Sequence, residues 1–272
     1  MTMGSIFVSE DACTPLRRAL EETGHNVFTV LSSDIVQDAI SSHPDIYMCK
    51  IKNILTIDDM ILTRPDIKEM YIRQMQSDND SFAESPIIPA LQADDDRGHI
   101  VFEMGHIGYE YPEDAVYNAA ATERFFLHNT RCTSPSLLDR ARNAGLEIIS
   151  VRQGYTKCSC VTVGERALIT ADEGILRTLR AYNEDIMKET GRREDTIDIL
   201  PVEQGHVKLE GYDYGFLGGA SGCVEDVIYF NGDLSQHPDC EKILSFIEER
   251  GYRARYFPGE ELTDIGSVIW LP

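Results

Sequence analysis

One structural unit recurs along this chain, and a repeat constrains a fold more tightly than any single segment does. It is clearest at the end of the sequence. The run VIYFNGD (227–233) is β-branched and aromatic and closes in turn residues. PDCEKILSFIEERG (238–251) follows, with Ile243, Leu244, Phe246 and Ile247 at helical spacing and a closing glycine. RARYF (253–257) and IGSVIWL (265–271) then read as two strands. The same strand–helix–strand–strand order starts at SIFVSE (5–10), at FFLHNT (125–130) and at ALITAD (167–172). Three of the helices open on a proline, Pro15, Pro135 and Pro238, where a fixed φ and a missing donor cost nothing. Gly24, Gly145 and Gly251 close the same three helices, where a left-handed residue is needed. A fifth, longer copy is expected between Lys52 and Glu123. It uses NILTID (53–58), DIKEMYIRQM (66–75), HIVFEM (99–104) and AVYNAAA (115–121), with a loop over 76–98.

No such unit can bury its apolar faces alone. Five around an axis can, with helices outside and short strands lining the centre. The expected fold is therefore α/β, a five-bladed pseudo-symmetric propeller forming one domain over 1–272. Its units run approximately 5–51, 52–124, 125–166, 167–226 and 227–272. An open doubly wound sheet is the alternative. It fits less well, because strands come in adjacent pairs after each helix and no Gly-rich loop joins a first strand to its helix.

Composition narrows the partners. A formal net charge of −21 repels phosphate backbones and anionic lipid, so neither nucleic acid nor a membrane surface is expected. No run of about 18 apolar residues is present to span a bilayer. No basic segment followed by an apolar run opens the chain, so no export signal is read. The seven cysteines are odd in number and scattered, which reads as reduced thiols and a cytoplasmic protein.

The repeat also aligns polar residues. At the start of each unit's final strand stand Asp45, Asp114, Lys157, the Gly218–Gly219 pair and Asp264. At the end of each first strand stand Glu10–Asp11, Asp58–Asp59, His128–Asn129, Asp172–Glu173 and Asn231–Gly232–Asp233. Turn chemistry explains short polar residues at strand ends. Equivalent positions in a closed ring also share one end of the barrel, so the first set is a candidate axial pocket.

Three local strings add chemistry. In QGYTKCSC (153–160), Cys158 and Cys160 are two apart on an expected strand and share a face. They read either as two small buried hydrophobes or as a reactive thiol whose thiolate Lys157 favours. The C-x-C spacing, without a second cysteine pair, does not suit structural zinc, and no metal or cofactor is expected. In QGHVKLEGYDYGFLGGASG (204–222), glycines allow close backbone approach. His206 there is either a turn histidine or a proton carrier near neutral pH. YFNGDLSQHPD (229–239) and His43–Pro44–Asp45 read mostly as turn and cap chemistry.

QGYTKCSC, GHVKLEGYDYGFLGGASG, YFNGDLSQHP and the closing LTDIGS (262–267) resemble a bacterial family assigned to the pentein fold. The whole five-unit architecture resembles that guanidino-group-modifying superfamily, which includes arginine deiminases, dimethylarginine hydrolases and amidinotransferases. The resemblance implies an axial site with a cysteine nucleophile, a histidine in the fourth unit and acidic residues that grip a guanidinium. His206 lies in the matching unit. The nucleophile departs from the pattern. Those enzymes carry it on the fifth unit's last strand, where this chain has Asp264–Ile265–Gly266–Ser267–Val268. Cys158, in the third unit, faces the same axis from another side.

Two functions follow. In the first, the chain is a hydrolase or transferase on a small cationic guanidino or amidino compound. Cys158, His206 and Asp114 are catalytic, and Asp45, Asp264, Asn118 and Lys157 hold the substrate. In the second, the chain is a non-catalytic binding or scaffold protein on the same fold, which the absent fifth-unit cysteine favours.

Overall fold

The computed structural model describes residues 3–59, 99–103, 105 and 107–272. The helix expected over 66–75 and the loop over 76–98 lie outside the described residues. Fifteen described strands form five separate sheets of three, which excludes an open doubly wound sheet. They are β1 (Ser5–Ser9), β2 (Asn26–Val30), β3 (Met48–Ile51), β4 (Ile54–Asp58) and β5 (His99–Glu103). Next come β6 (Ala120–Ala121), β7 (Phe125–His128), β8 (Glu147–Ser150), β9 (Cys160–Val163) and β10 (Ala167–Thr170). The last are β11 (Asp198–Pro201), β12 (Ser221–Val224), β13 (Val227–Phe230), β14 (Arg253–Arg255) and β15 (Ile269–Leu271).

Each sheet follows one plan. A central strand (β1, β4, β7, β10 or β13) pairs parallel with the outer strand that follows it. The same central strand pairs antiparallel with an inner strand. Parallel pairing needs a crossover, and helices supply it in four sheets: Thr14–Glu21, Pro135–Asn143, Glu173–Thr190 and Cys240–Glu248. The inner strand that follows a unit in sequence belongs to the next sheet: Met48–Ile51 pairs with Ile54–Asp58, not with Ser5–Ser9. Read along the chain, the repeat is therefore one strand out of phase with the sheets. The last strand closes the circle by pairing with the first, Ser5 opposite Leu271.

Local sequence explains the elements. Central strands are buried almost throughout, as continuous apolar runs with cover on both faces should be. The helices bury one stripe each: Leu16, Ala19 and Leu20 in the first, Leu137 and Ala141 in the second, Ile243 and Ile247 in the last. Gly24, Gly145 and Gly251 have φ of 80°, 71° and 79°, the left-handed stop their positions call for. Among the described residues no helix is long and apolar enough to cross a membrane.

What positions the site is a ring of turns at the inner end of the strands. Three begin as a short helical turn: Pro44–Tyr47, Glu113–Ala115 and Thr156–Ser159. Each turn is laced to the next. The N–H of Asp45 donates to Gly266 O at 3.1 Å, and the N–H of Ser267 donates to Gly219 O at 2.7 Å. The N–H of Gly219 donates to Cys158 O at 2.8 Å, and the N–H groups of Thr156 and Lys157 donate to Asn118 O at 3.0 Å. The thiol of Cys49 reaches Ala119 O at 3.7 Å and completes the circuit. Glycine is needed in two places. A Cβ on Gly218 would sit 2.5 Å from the carbonyl oxygens of Lys157, Cys158 and Cys160, and one on Gly266 would collide with His43.

Candidate functional site

Cys158 lies in the helical turn Thr156–Ser159, not on the strand expected for it; β9 begins at Cys160. The sequence of the turn explains this. Thr156 Oγ1 donates to Gln153 O at 2.7 Å and Ser159 Oγ donates to Tyr155 O at 2.8 Å, local bonds that compete with an extended backbone. The two cysteines therefore do not share a face. Cys160 is fully buried in an apolar cluster with Leu168, Ile175 and Leu179. Cys158 turns its sulfur to the hub.

Asn118 holds the turn in place. Its Oδ1 accepts from the N–H of Lys157 at 2.8 Å and of Cys158 at 3.1 Å, while its Nδ2 donates to Cys158 Sγ at 3.2 Å. Opposite, the Cys158 thiol donates to Asp45 Oδ2 at 3.0 Å. Ser267 Oγ donates to the same oxygen at 2.7 Å and accepts from Lys157 Nζ at 2.9 Å. Ser267 is buried with φ +71°, a left-handed backbone uncommon outside glycine. Asp264 accepts from the N–H groups of Phe216 at 2.9 Å and Gly266 at 3.0 Å. One Asp264 oxygen lies 3.9 Å from His43 Nδ1. Among the described residues, Asp45 Oδ1 and His43 Nδ1 are buried without a hydrogen-bond partner.

Three of these groups, His43, Cys158 and Asp264, line a cavity of about 300 Å³, while Asp45 reaches it only through its bond to the Cys158 sulfur. His43, Cys158 and Asp264 are at its base, and Tyr155, Tyr212, Tyr214 and Phe216 contribute to its walls. Electrostatics at the base of the cavity favours retained protons. Burial pushes the Cys158 thiol well above its ordinary value, and the carboxylates of Asp45 and Asp264 add to the rise. Burial also raises Asp45, and it brings Asp264 up to about 6 against two N–H donors. Burial lowers His43, so that imidazole is neutral at pH 7. Lys157 does not activate the thiol as expected: its ammonium bonds Ser267, and burial with two nearby carboxylates decides the sign at Cys158.

The structure thus brings together Cys158, Asp45, Asp264, Asn118 and Lys157. It separates two others. Asp114 is buried behind Tyr155, whose phenol donates to Asp114 Oδ2 at 2.6 Å, and it does not line the cavity. Its contact is with a wall residue rather than with the base of the cavity. His206 does not meet Cys158. It lies against His237, with ring centroids 5.2 Å apart, and 3.3 Å from Glu203, and it lines a second, smaller cavity with both. The glycine-dense segment turns His206 to that side, while Tyr212 and Tyr214 line the first cavity and Phe216 lines both. Asn231 and Asp233 serve turns. Asn231 accepts from the N–H of Cys13 at 2.8 Å and donates to Thr263 O at 3.0 Å; Asp233 caps the turn at Ser235 at 3.0 Å.

The sequence places His43 in a turn and marks Ser267 only as a non-cysteine at the fifth-unit position. Both were within reach of the ring alignment: His43 stands two residues before Asp45 and Ser267 three after Asp264. The aromatic wall carried no periodic signal.

Residues 91–269 match a family described as a family of unknown function (DUF6873), and the chain belongs to that family. No curated protein matches the sequence. Among solved structures the chain is similar to DDAH from Pseudomonas aeruginosa, a cysteine-to-serine mutant complexed with citrulline. The TM-score is 0.50 at 10% identity, over 95% of this chain and 93% of that one. It is also similar to apo ArgZ, an arginine dihydrolase from the ornithine-ammonia cycle in cyanobacteria, with TM-score 0.48 and 12% identity over 94% of this chain. The match spans only 37% of ArgZ's length. The isolated N-terminal domain of ArgZ, bound to substrate, gives 0.47 and 11% identity over 94% of this chain and 91% of that one. DDAH and ArgZ are pentein-fold enzymes, and this chain has the pentein-like fold.

Proposed function

We propose that this member of the DUF6873 family binds a small planar cation of the guanidinium or amidinium type over Cys158, and that Cys158 attacks its central carbon. The carrying observation is at the base of the cavity: the lining thiol of Cys158 lies 3.0 Å from the Asp45 carboxylate, Asp264 lines the same cavity, and Asp45 Oδ1 has no hydrogen-bond partner among the described residues. A delocalised planar cation pairs with a carboxylate through two parallel hydrogen bonds and stacks on aromatic rings. Asp264 and the Tyr155, Tyr212 and Phe216 walls line the cavity and offer both, and Asp45 adds its charge from 3.0 Å beyond the Cys158 sulfur. The charge of the ligand offsets the carboxylates that hold the thiol protonated. Asp45 then takes the thiol proton as the carbon–sulfur bond forms. It returns that proton to the departing amine as the carbon–nitrogen bond breaks. Water or a second amine resolves the adduct, giving hydrolase or transferase chemistry. Asn118 fixes the turn that presents the sulfur. His43, rather than His206, is the imidazole at the cavity base.

The binding-only reading keeps two points in its favour: burial and the nearby carboxylates push the Cys158 thiol up, and the fifth-unit position is Ser267. One experiment separates the two. Agmatine and L-arginine are titrated calorimetrically into wild type and Cys158→Ala, and amine or ammonia release is followed. Turnover in wild type with binding but no turnover in Cys158→Ala is the expected result. Binding without turnover in wild type leaves a binding protein. No binding by any guanidino or amidino probe overturns the cation pocket.

A further inference from the structure

We propose that His43, Asp45 and Cys158 form a binding site for a single divalent transition-metal ion of the zinc class. The three come from two turns of the hub ring. His43 and Asp45 flank Pro44 at the start of the turn Pro44–Tyr47, and Cys158 comes from the turn Thr156–Ser159. All three are buried, at 3%, 1% and 3% exposure. One nitrogen, one oxygen and the sulfur lie within 4.8 Å of one another. Around a tetrahedral ion with bonds of about 2.0–2.3 Å, ligand atoms stand roughly 3.5 Å apart, so closing on the metal needs about 1 Å of side-chain movement.

A second observation points to a ligand independently of that spacing. His43 Nδ1 and Asp45 Oδ1 are fully buried polar atoms with no hydrogen-bond partner among the described residues. Such atoms are costly unless something satisfies them. The chemistry of the set is selective. An imidazole, a carboxylate and a thiolate form a mixed N, O, S shell that suits Zn²⁺ or Co²⁺ and not a hard cation such as Mg²⁺. Three protein ligands leave a fourth position open to the 300 Å³ cavity. Binding forms a metal–sulfur bond and releases the thiol proton to solvent, with no change of oxidation state. The C-x-C spacing that argued against zinc at Cys158 and Cys160 does not bear on this set, because Cys160 takes no part.

The site stands whether or not Cys158 is a nucleophile. The ion and a guanidinium would both draw on Asp45 and Cys158, so each would compete with the other for the site.

The test is a Co²⁺ titration of the reduced, chelator-treated full-length chain, with no guanidino compound present. The expected result is one Co²⁺ per chain, a thiolate-to-cobalt charge-transfer band, and visible bands of four-coordinate intensity that Zn²⁺ removes. Cys158→Ser abolishes the charge-transfer band. His43→Gln and Asp45→Asn each weaken binding by more than about tenfold. His206→Gln changes neither, which excludes the second histidine cluster. Circular dichroism reports folding of each variant. Where Cys158→Ser does not fold, alkylation of Cys158 in the folded wild type replaces it and must remove the band. Absence of the band in wild type, or its survival after Cys158 is removed or capped, overturns the assignment. Either outcome leaves the calorimetric test of the cation pocket untouched.

Discussion

Replacing Asp45 by Asn isolates the electrostatic control of Cys158. The change is isosteric, so Ser267 keeps an acceptor while a full charge 3.0 Å from the sulfur is removed. A unit charge at that distance is worth about 5 kcal/mol at an effective dielectric of about 20. A quarter of that already corresponds to about one pKa unit. The whole would be about four units, the upper bound. Rate does not follow thiolate fraction alone. Nucleophilicity falls as the pKa falls, with a slope of about 0.4–0.5, so each unit gained in thiolate is worth roughly threefold in rate. Alkylation of Cys158 by iodoacetamide at fixed pH should therefore rise between about threefold and a hundredfold in Asp45→Asn. Mass spectrometry reads this directly. Cleavage after Lys157 and Arg166 gives a peptide holding both Cys158 and Cys160, which fragment ions distinguish. Half-buried Cys132 serves as the internal standard. An unchanged or slower rate at Cys158, relative to Cys132, would refute the claim that Asp45 helps hold the thiol protonated.

Other outcomes follow from the same geometry. Asp264 sits at about 6, and its ionised form is the one that holds a cation. Agmatine affinity should be level above pH 7 and fall toward tenfold per pH unit below 6, and Asp264→Asn should remove the inflection. Asn118→Ala leaves the Cys158 N–H without its acceptor and opens a void in a fully buried position. Denaturant unfolding should show a loss of about 2–4 kcal/mol. His128 is held by Thr133 Oγ1 and Gly154 O, each at 2.7 Å, and burial pushes it down to about 4 from 6.5. The unfolded chain binds the proton first as pH falls, so the contribution is complete above 6.5 and declines toward 4, by up to about 3 kcal/mol. Melting temperatures at pH 7 and pH 5 in wild type and His128→Gln check this; a pH difference unaltered by the substitution would assign the loss elsewhere.

The architecture was legible because it is written five times. A proline at one helix end and a left-handed glycine at the other mark the helices at Thr14, Pro135 and Cys240 whatever their neighbours do. Which strand joins which sheet was not legible. Nothing local to Met48–Ile51 says that it pairs forward with Ile54–Asp58 rather than back with Ser5–Ser9. The hub was half legible. Asp45, Lys157 and Asp264 align as equivalents, and they do converge. Asp114 aligns equally well but is turned behind Tyr155, because a ring position fixes where a Cα lies and not where a side chain points. The sign of the shift at Cys158 was not legible either. Adjacent Lys157 suggested a lowered pKa, whereas the deciding charges, Asp45 and Asp264, are more than a hundred residues away in sequence and are placed only by closure of the ring.

That closure also bears on the missing fifth-unit cysteine. In a pseudo-symmetric ring all five turns present their first residues to one hub, so a reactive group can be supplied by more than one turn and still meet the same partner. Here Ser267 and Cys158 both donate to a single oxygen, Asp45 Oδ2, at 2.7 Å and 3.0 Å. A sulfur on the third turn therefore occupies the same relation to the acid that a group on the fifth turn does. Lys157, next to Cys158 in sequence, bonds Ser267 across the hub, so the third and fifth turns are also tied to each other. The position of the cysteine in the sequence is thus a weak test of chemistry in this fold. The stronger test is whether the sulfur, the carboxylate pair and an entering carbon can meet at one point, and that turns on the hub geometry of Cys158, Asp45 and Asp264.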